Sequence, residues 1–232
     1  MLANACNWLS RKGGAAGKSL AYATANFLKL CADLRHERAL ESDVHSNFVF
    51  VPAYRQGAAK FGQWGWSHVT VSGEWFSGGG GVPNAADYAM IVVPDQLVKT
   101  KIKKIGQVTG WYGWQTLSLS ANHTTQLGYP GNFDAGAIMH QITSGAHQNA
   151  APNNVEYGSD SRGGSSGGPW IQNFSELAQG QAGIGLNNGL LRVVGVTSYG
   201  YISTDPKVQG ASIPNATWVS IWNIVCAGAG NC

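Results

Sequence analysis

From residue 47 onward the chain is a succession of short apolar runs broken by glycine, proline or polar clusters. Phe48-Val49-Phe50-Val51-Pro52-Ala53-Tyr54 reads as a strand ended by proline and a turn at Gly57. Residues 61–66 and 68–75 alternate in strand fashion, and 88–94 is the continuous apolar run of a strand buried on both faces. A second set of short strands is predicted over 107–112, 124–129, 137–143, 168–174 and 191–199. Short strands separated by turns favour a barrel or sandwich over βαβ units. Two stretches have a different period. Leu20, Phe27, Leu28, Leu30, Cys31 and Leu34 fall roughly on one side of a helix over 19–42, and Trp218, Ile221, Trp222 and Val225 predict a closing helix over 217–225.

Composition agrees with an all-β, loop-rich protein. The 232 residues include 32 glycines and nine tryptophans but only 12% charged side chains, where long exposed helices need many more Glu, Lys and Arg. This length fits one domain of two packed halves with a sizeable core. The net charge of +3 is small, and no Lys/Arg run alternates with aromatics, so nucleic acid is not an expected partner. The basic cluster at 99–104 reads as a solvated strand edge or turn. No run of about 18 apolar residues predicts a membrane span. Residues 1–6 have neither a basic n-region nor an apolar h-region, so an exported protein of this kind is expected to carry more sequence upstream. The four cysteines allow alternative pairings, among them a small C-terminal loop closed by Cys226 and Cys232.

Gly163-Gly164-Ser165-Ser166-Gly167-Gly168-Pro169-Trp170 is the stretch least like scaffold. These residues suit a backbone in a tight path, its N–H groups aimed at something and one hydroxyl presented to it. A serine hydroxyl attacks only when a base takes its proton and preset donors stabilise the oxyanion. Ser166 is the candidate nucleophile. A flexible Gly/Ser linker is the plainer reading, but linkers do not run into an apolar, strand-like sequence such as 169–174. Gly164, Ser166 and Gly168 also match the nucleophile elbow of α/β-hydrolases, which needs a strand before it and a helix after it. Residues 153–162 read as polar and broken, and Pro169 starts no amphipathic helix. Upstream, Asp87 in Asn84-Ala85-Ala86-Asp87-Tyr88-Ala89-Met90 precedes an apolar strand, a usual place for a turn or capping carboxylate.

On these residues the chain resembles the trypsin-like (chymotrypsin-fold) serine peptidases, especially the secreted bacterial branch related to glutamyl endopeptidases. Gly164-Ser165-Ser166-Gly167-Gly168-Pro169 is similar to that family's Gly-Asp-Ser-Gly-Gly-Pro box. The 48–54 strand, Gly128-Tyr129-Pro130 and Thr197-Ser198-Tyr199-Gly200 extend the likeness over much of 47–222. The resemblance implies two six-stranded antiparallel Greek-key barrels with a C-terminal helix, the first barrel either complete or incomplete. It divides the chain into an atypical segment 1–46, a first half 47–100 and a second half 101–232. It makes Ser166 the nucleophile, Asp87 the orienter of a histidine, and the N–H groups of Gly164 and Ser166 the oxyanion hole. Ser198, Tyr199 and Gly200 would pair with an extended polypeptide substrate. Asp160, at the offset of the family's specificity residue, suggests a basic P1 side chain, and Thr197 in place of a histidine argues against an acidic one. Ser165 in place of aspartate implies activation without an ion pair to a new amino terminus. The resemblance further implies no cofactor or metal, a monomer, and secretion.

The histidine is the missing part. Where the family carries Thr-Ala-Ala-His-Cys, this chain has Ala23-Thr24-Ala25-Asn26-Phe27, which puts Asn26 in the place of the base. An asparagine cannot take and return a proton near neutral pH. His36 and His45 lie in the right region but in another local context. Three explanations compete: a damaged reading of the first 46 codons, a pseudopeptidase that binds peptides without cutting them, or delivery of His36 or His45 by an irregular loop. From another class comes a carbohydrate-binding β-sandwich, with Trp64, Trp66, Trp75, Trp111 and Trp114 as stacking faces.

Overall fold

The computed structural model describes residues 49–78, 81–110, 112–119, 123–172, 174, 192–201, 203 and 206–229, and the backbone of 19–23. The N-terminal half contains β1 (Ser19–Ala23), β2 (Tyr54–Arg55), β3 (Ala58–Ala59), β4 (His68–Val71), helix α1 (Gly73–Ser77), β5 (Ala89–Val93), β6 (Gln96–Val98), β7 (Lys101–Lys103), helix α2 (Ile105–Thr109) and β8 (Gly113–Trp114). β5 is flanked antiparallel by β1 and β4. Both of its faces are covered: Met90 and Val92 meet the apolar face of the C-terminal helix, while Ala89 and Ile91 pack under Trp66, Val69 and Val71. The basic cluster lies on the β6–β7 hairpin, which turns through Lys99 at φ 58°.

Several local predictions are corrected here. The strands predicted over 48–54 and 61–66 reduce, among the described residues, to an isolated bridge between Phe50 and Trp64 and the start of β2 at Tyr54. Residues 19–23 form a strand, with Leu20 opposite Val92 and Tyr22 opposite Met90. Pairing along the edge of β5 outweighs the helical spacing of the side chains; residues 24–42 lie outside those described. The alternation over 68–75 stops at Val71, because Ser72 caps α1: its Oγ accepts from Trp75 N–H at 3.1 Å and donates to the Ala86 carbonyl at 2.5 Å. The strand predicted over 107–112 is instead the short helix α2. Ile105 is drawn into the cluster of Phe50, Trp64 and Val93, and Gln107 Oε1 accepts from Lys104 N–H at 3.0 Å, which starts a helical turn.

The C-terminal half is a closed barrel of β9 (His123–Gly128), β10 (His140–Ala150), β11 (Asn154–Gly158), β12 (Pro169–Gln172), β13 (Arg192–Gly200) and β14 (Val208–Ser212). The order β12-β9-β10-β11-β14-β13 returns to β12 by the β12–β13 pairing, all antiparallel. Val155, Tyr157, Trp170, Val194 and Ala211 fill the interior with Leu119 and Ile213. Ile171, Val193 and, past an irregularity in the β12–β13 register, Val196 pack instead with α3 (Ala216–Ala229), where Trp218, Ile221 and Val225 are buried beside Tyr88, Met90 and Val92. That shared cluster joins the two halves. Among the described residues no helix is long and apolar enough to cross a membrane.

Among the described residues, the candidate tryptophans are engaged in packing, Trp66 against Ala89 and Ile91. Trp64 and Trp75 are buried, and Trp114 meets Trp218 edge-on and Trp222 at a tilt, at centroid distances of 6.2 and 5.6 Å. Trp111, Cys6, Cys31 and Cys232 lie outside the described residues.

Candidate active site

Strand β13 has two different neighbours along one edge. β12 pairs with Arg192–Val196; just beyond, Thr197 N–H donates to the Gly168 carbonyl at 2.9 Å and Gly167 N–H donates to the Thr197 carbonyl at 3.0 Å. There the chain departs into the Ser166 loop. From Ser198 to Gly200 no strand among the described residues covers that edge, while on the other side Tyr199 is opposite Gly210 and Gly200 opposite Gln209. Half-buried Ser166 therefore sits at the head of an open strand edge.

The loop is tight for reasons visible in its glycines. Gly164 has φ +101°, and a Cβ there would lie 2.6 Å from the Tyr129 carbonyl; a Cβ on Gly168 would lie 2.2 Å from the Leu127 carbonyl. Both glycines allow the loop to close on the end of β9 and the segment after it. Ser165 is buried; its Oγ donates to the Arg162 carbonyl at 3.0 Å, and its own carbonyl accepts from Gly168 N–H at 2.9 Å. A local hydrogen bond thus satisfies the position where the resembling family carries aspartate.

Asp87 is wholly buried at the seam between the halves. Asn84 starts the turn that presents it: its Oδ1 accepts from Ala86 N–H at 2.9 Å. The turn's carbonyls are taken by the barrel, that of Asn84 by Asn154 Nδ2 at 2.7 Å and Ser212 Oγ at 3.0 Å, that of Ala85 by Asn153 Nδ2 at 2.8 Å. The Asp87 carboxylate accepts from Ser198 Oγ at 2.6 Å. Ser198, expected to line the substrate groove, thus also binds the acid.

Of the other expected site residues, Tyr199 lays its ring across Gly210, where a Cβ would meet it at 2.2 Å. Its hydroxyl thereby reaches Glu156 Oε1 at 2.8 Å on the next strand, and Tyr201 donates to the same oxygen at 2.8 Å. Gln148 Nε2 donates to Oε2 at 2.7 Å. Burial pushes the Glu156 carboxyl up, but the bonds from Tyr201, Gln148 and Tyr199, with nearby His147, outweigh it and hold the carboxyl below its ordinary range. The same contact, added to burial, raises the Tyr199 hydroxyl. Because the unfolded chain binds the Glu156 proton more readily, this carboxylate adds stability above about pH 4.3 and loses it as pH falls through its lower folded value. Urea midpoints between pH 7 and 3 should fall more steeply for the wild type than for Glu156→Gln; equal slopes would contradict the assignment.

Asp160 is exposed, and its carbonyl accepts from Asn132 Nδ2 at 2.9 Å. Thr197 is buried and engaged, Oγ1 accepting from Trp170 Nε1 at 2.9 Å and donating to the Gly168 carbonyl at 3.1 Å. The described histidines stand elsewhere: His68 and His123 are exposed on β4 and β9, His140 pairs with Asp134 at 2.8 Å, and His147 is exposed on β10. Asn26, His36 and His45 lie outside the described residues. Sequence reasoning missed Asn153, Asn154 and Ser212, which hold the acid's turn. Only the Asn84-Ala85-Ala86 spacing hinted at that turn.

This barrel, with a serine loop at an open strand edge and a buried acid at the seam, has the fold of the trypsin-like, chymotrypsin-fold serine proteases. Among solved structures, the chain is similar to the protease Anisep from Arthrobacter nicotinovorans, with TM-score 0.70 and 24% identity over 94% of this chain and 88% of that one. It is likewise similar to the thermostable serine protease AL20 from an extremophilic microorganism (TM-score 0.68, 21% identity, 94% and 89% covered) and to a Glu endopeptidase in complex with MPD (0.63, 16%, 97% and 93%). No family model matches the sequence, and no curated protein matches it.

Proposed function

We propose that the protein is a serine endopeptidase that cleaves extended polypeptides through an acyl-enzyme on Ser166. The observation that carries this reading is the Ser198–Asp87 bond at 2.6 Å, which ties a buried carboxylate to the strand that anchors the Ser166 loop. In this reading a histidine lies between Asp87 and Ser166. Asp87 fixes its tautomer and stabilises the imidazolium, while the N–H groups of Gly164 and Ser166 receive the oxyanion. The edge Ser198–Gly200 takes the peptide as an added strand, and Asp160 favours a basic P1 residue. The N-terminal half completes a second Greek-key barrel, and the protein acts as an exported monomer without metal or cofactor.

The test is labelling by a fluorophosphonate, with the modified residue located by peptide mass spectrometry. Label on Ser166 that vanishes in Ser166→Ala supports the peptidase; His36→Ala and His45→Ala then identify the base. A folded protein that takes no label yet binds extended peptides is the pseudopeptidase with Asn26 at the base position.

A further inference from the structure

Just before the nucleophile loop, one residue is held from three directions. Arg162 N–H donates to Asn132 Oδ1 at 2.9 Å, and its carbonyl accepts from Ser165 N–H at 3.3 Å and Ser165 Oγ at 3.0 Å. Its guanidinium crosses to the segment that leaves β13: Nη1 donates to the Tyr201 carbonyl at 2.6 Å and the Ser203 carbonyl at 2.9 Å. Tyr201 is fixed at its other end through its hydroxyl on Glu156. Asn132 grips the loop at two points, with Nδ2 on the Asp160 carbonyl as well as Oδ1 on Arg162, and Gly131 N–H donates to the Gly163 carbonyl at 2.7 Å. The open edge Ser198–Gly200 runs between these anchored walls.

We propose that Arg162 is a positioning residue, a non-covalent staple that locks the loop bearing Ser166 to the outgoing end of the substrate strand. It thereby sets the affinity of the groove for an extended peptide. Guanidinium suits this role because the two N–H bonds of Nη1 are fixed in the plane of the group and stay charged, so this one nitrogen bridges carbonyls two residues apart; a lysine ammonium rotates freely and is a mobile point charge. Bonds from a charged donor are also stronger than neutral ones. The use of the groove for peptide rests on the peptidase reading; the staple does not.

Two measurements on Arg162→Met and Arg162→Lys test it. The first is hydrogen exchange of the folded proteins, resolved by peptide. In Arg162→Met, segments 160–168 and 198–203 should both exchange at least tenfold faster, with 154–158 unchanged. Acceleration of one segment alone, or of neither, overturns the staple. Arg162→Lys should show most of the same loosening; full protection there overturns the role of the planar guanidinium. The second measurement is kinetic. KM for a peptide spanning the groove should rise about tenfold with kcat within threefold, while a small fluorophosphonate labels Ser166 at near the wild-type rate. Slower labelling and lower kcat at unchanged KM would overturn the proposal by assigning Arg162 to the chemistry itself. If the wild type neither cleaves nor labels, the peptidase reading fails, and exchange still decides the staple.

Discussion

Asp87→Asn should lower kcat for peptide hydrolysis by about four orders of magnitude while the melting temperature changes little. Asparagine has the same shape, and its carbonyl oxygen can still accept from Ser198 Oγ, so the turn from Asn84 to Asp87 loses none of its barrel contacts. In the peptidase reading, what changes is the face offered to the histidine. An amide NH2 donates where the carboxylate accepts, selecting the wrong imidazole tautomer and removing the charge that stabilises the imidazolium. Steady-state kinetics beside thermal unfolding separate the two effects. An equally active Asp87→Asn would mean that Asp87 is only a capping residue of the seam.

The second large effect concerns the barrel interior next to the Ser166 loop. Trp170→Ala should cost about 3–5 kcal/mol, a large part of the roughly 5–15 kcal/mol that holds a typical domain together. Trp170 is fully buried, its ring 5.0 Å from that of Tyr157, and its Nε1 binds Thr197, the residue whose main chain grips Gly167 and Gly168. For a protein of this size the midpoint should fall by roughly 10 °C. Trp170→Phe keeps most of the apolar area and loses the hydrogen bond, so it should cost about 1–2 kcal/mol. Calorimetry on both variants checks the ordering; similar small losses would mean that the ring is not what closes the barrel.

Strands whose burial is apolar were legible in the sequence. β5, β12 and β13 announce themselves by their side chains, as does the spacing of Trp218, Ile221 and Val225 in α3. β11 did not, and 153–162 looked like a polar, broken approach to the serine. Asn154 and Glu156 are nevertheless almost fully buried, one holding Pro152 and the Asn84 turn, the other receiving three side-chain donors. Polar residues satisfied by partners far along the chain carry no local signal of burial. β14 was hidden in a similar way, since Gly210 and Gln209 look like turn residues until Tyr199 is seen lying across the glycine.

For the site, the serine loop and the acid could be read because their local sequences are unusual. Arg162 and Asn132 could not, because their work is done through backbone carbonyls and amides of distant segments, which no side-chain pattern encodes. The chain's first 48 residues have the least expected texture, and the one strand described there, β1, departs from the helical reading.

The seam around Asp87 also bears on how the chain is made. The groups that hold its turn belong to residues 153, 154, 198 and 212, the last two of them synthesised only after Ser166. A nascent chain that stops short of β14 carries both the serine and the acid but has not yet joined them. In the peptidase reading, self-digestion during synthesis is thereby deferred until the polypeptide is nearly complete.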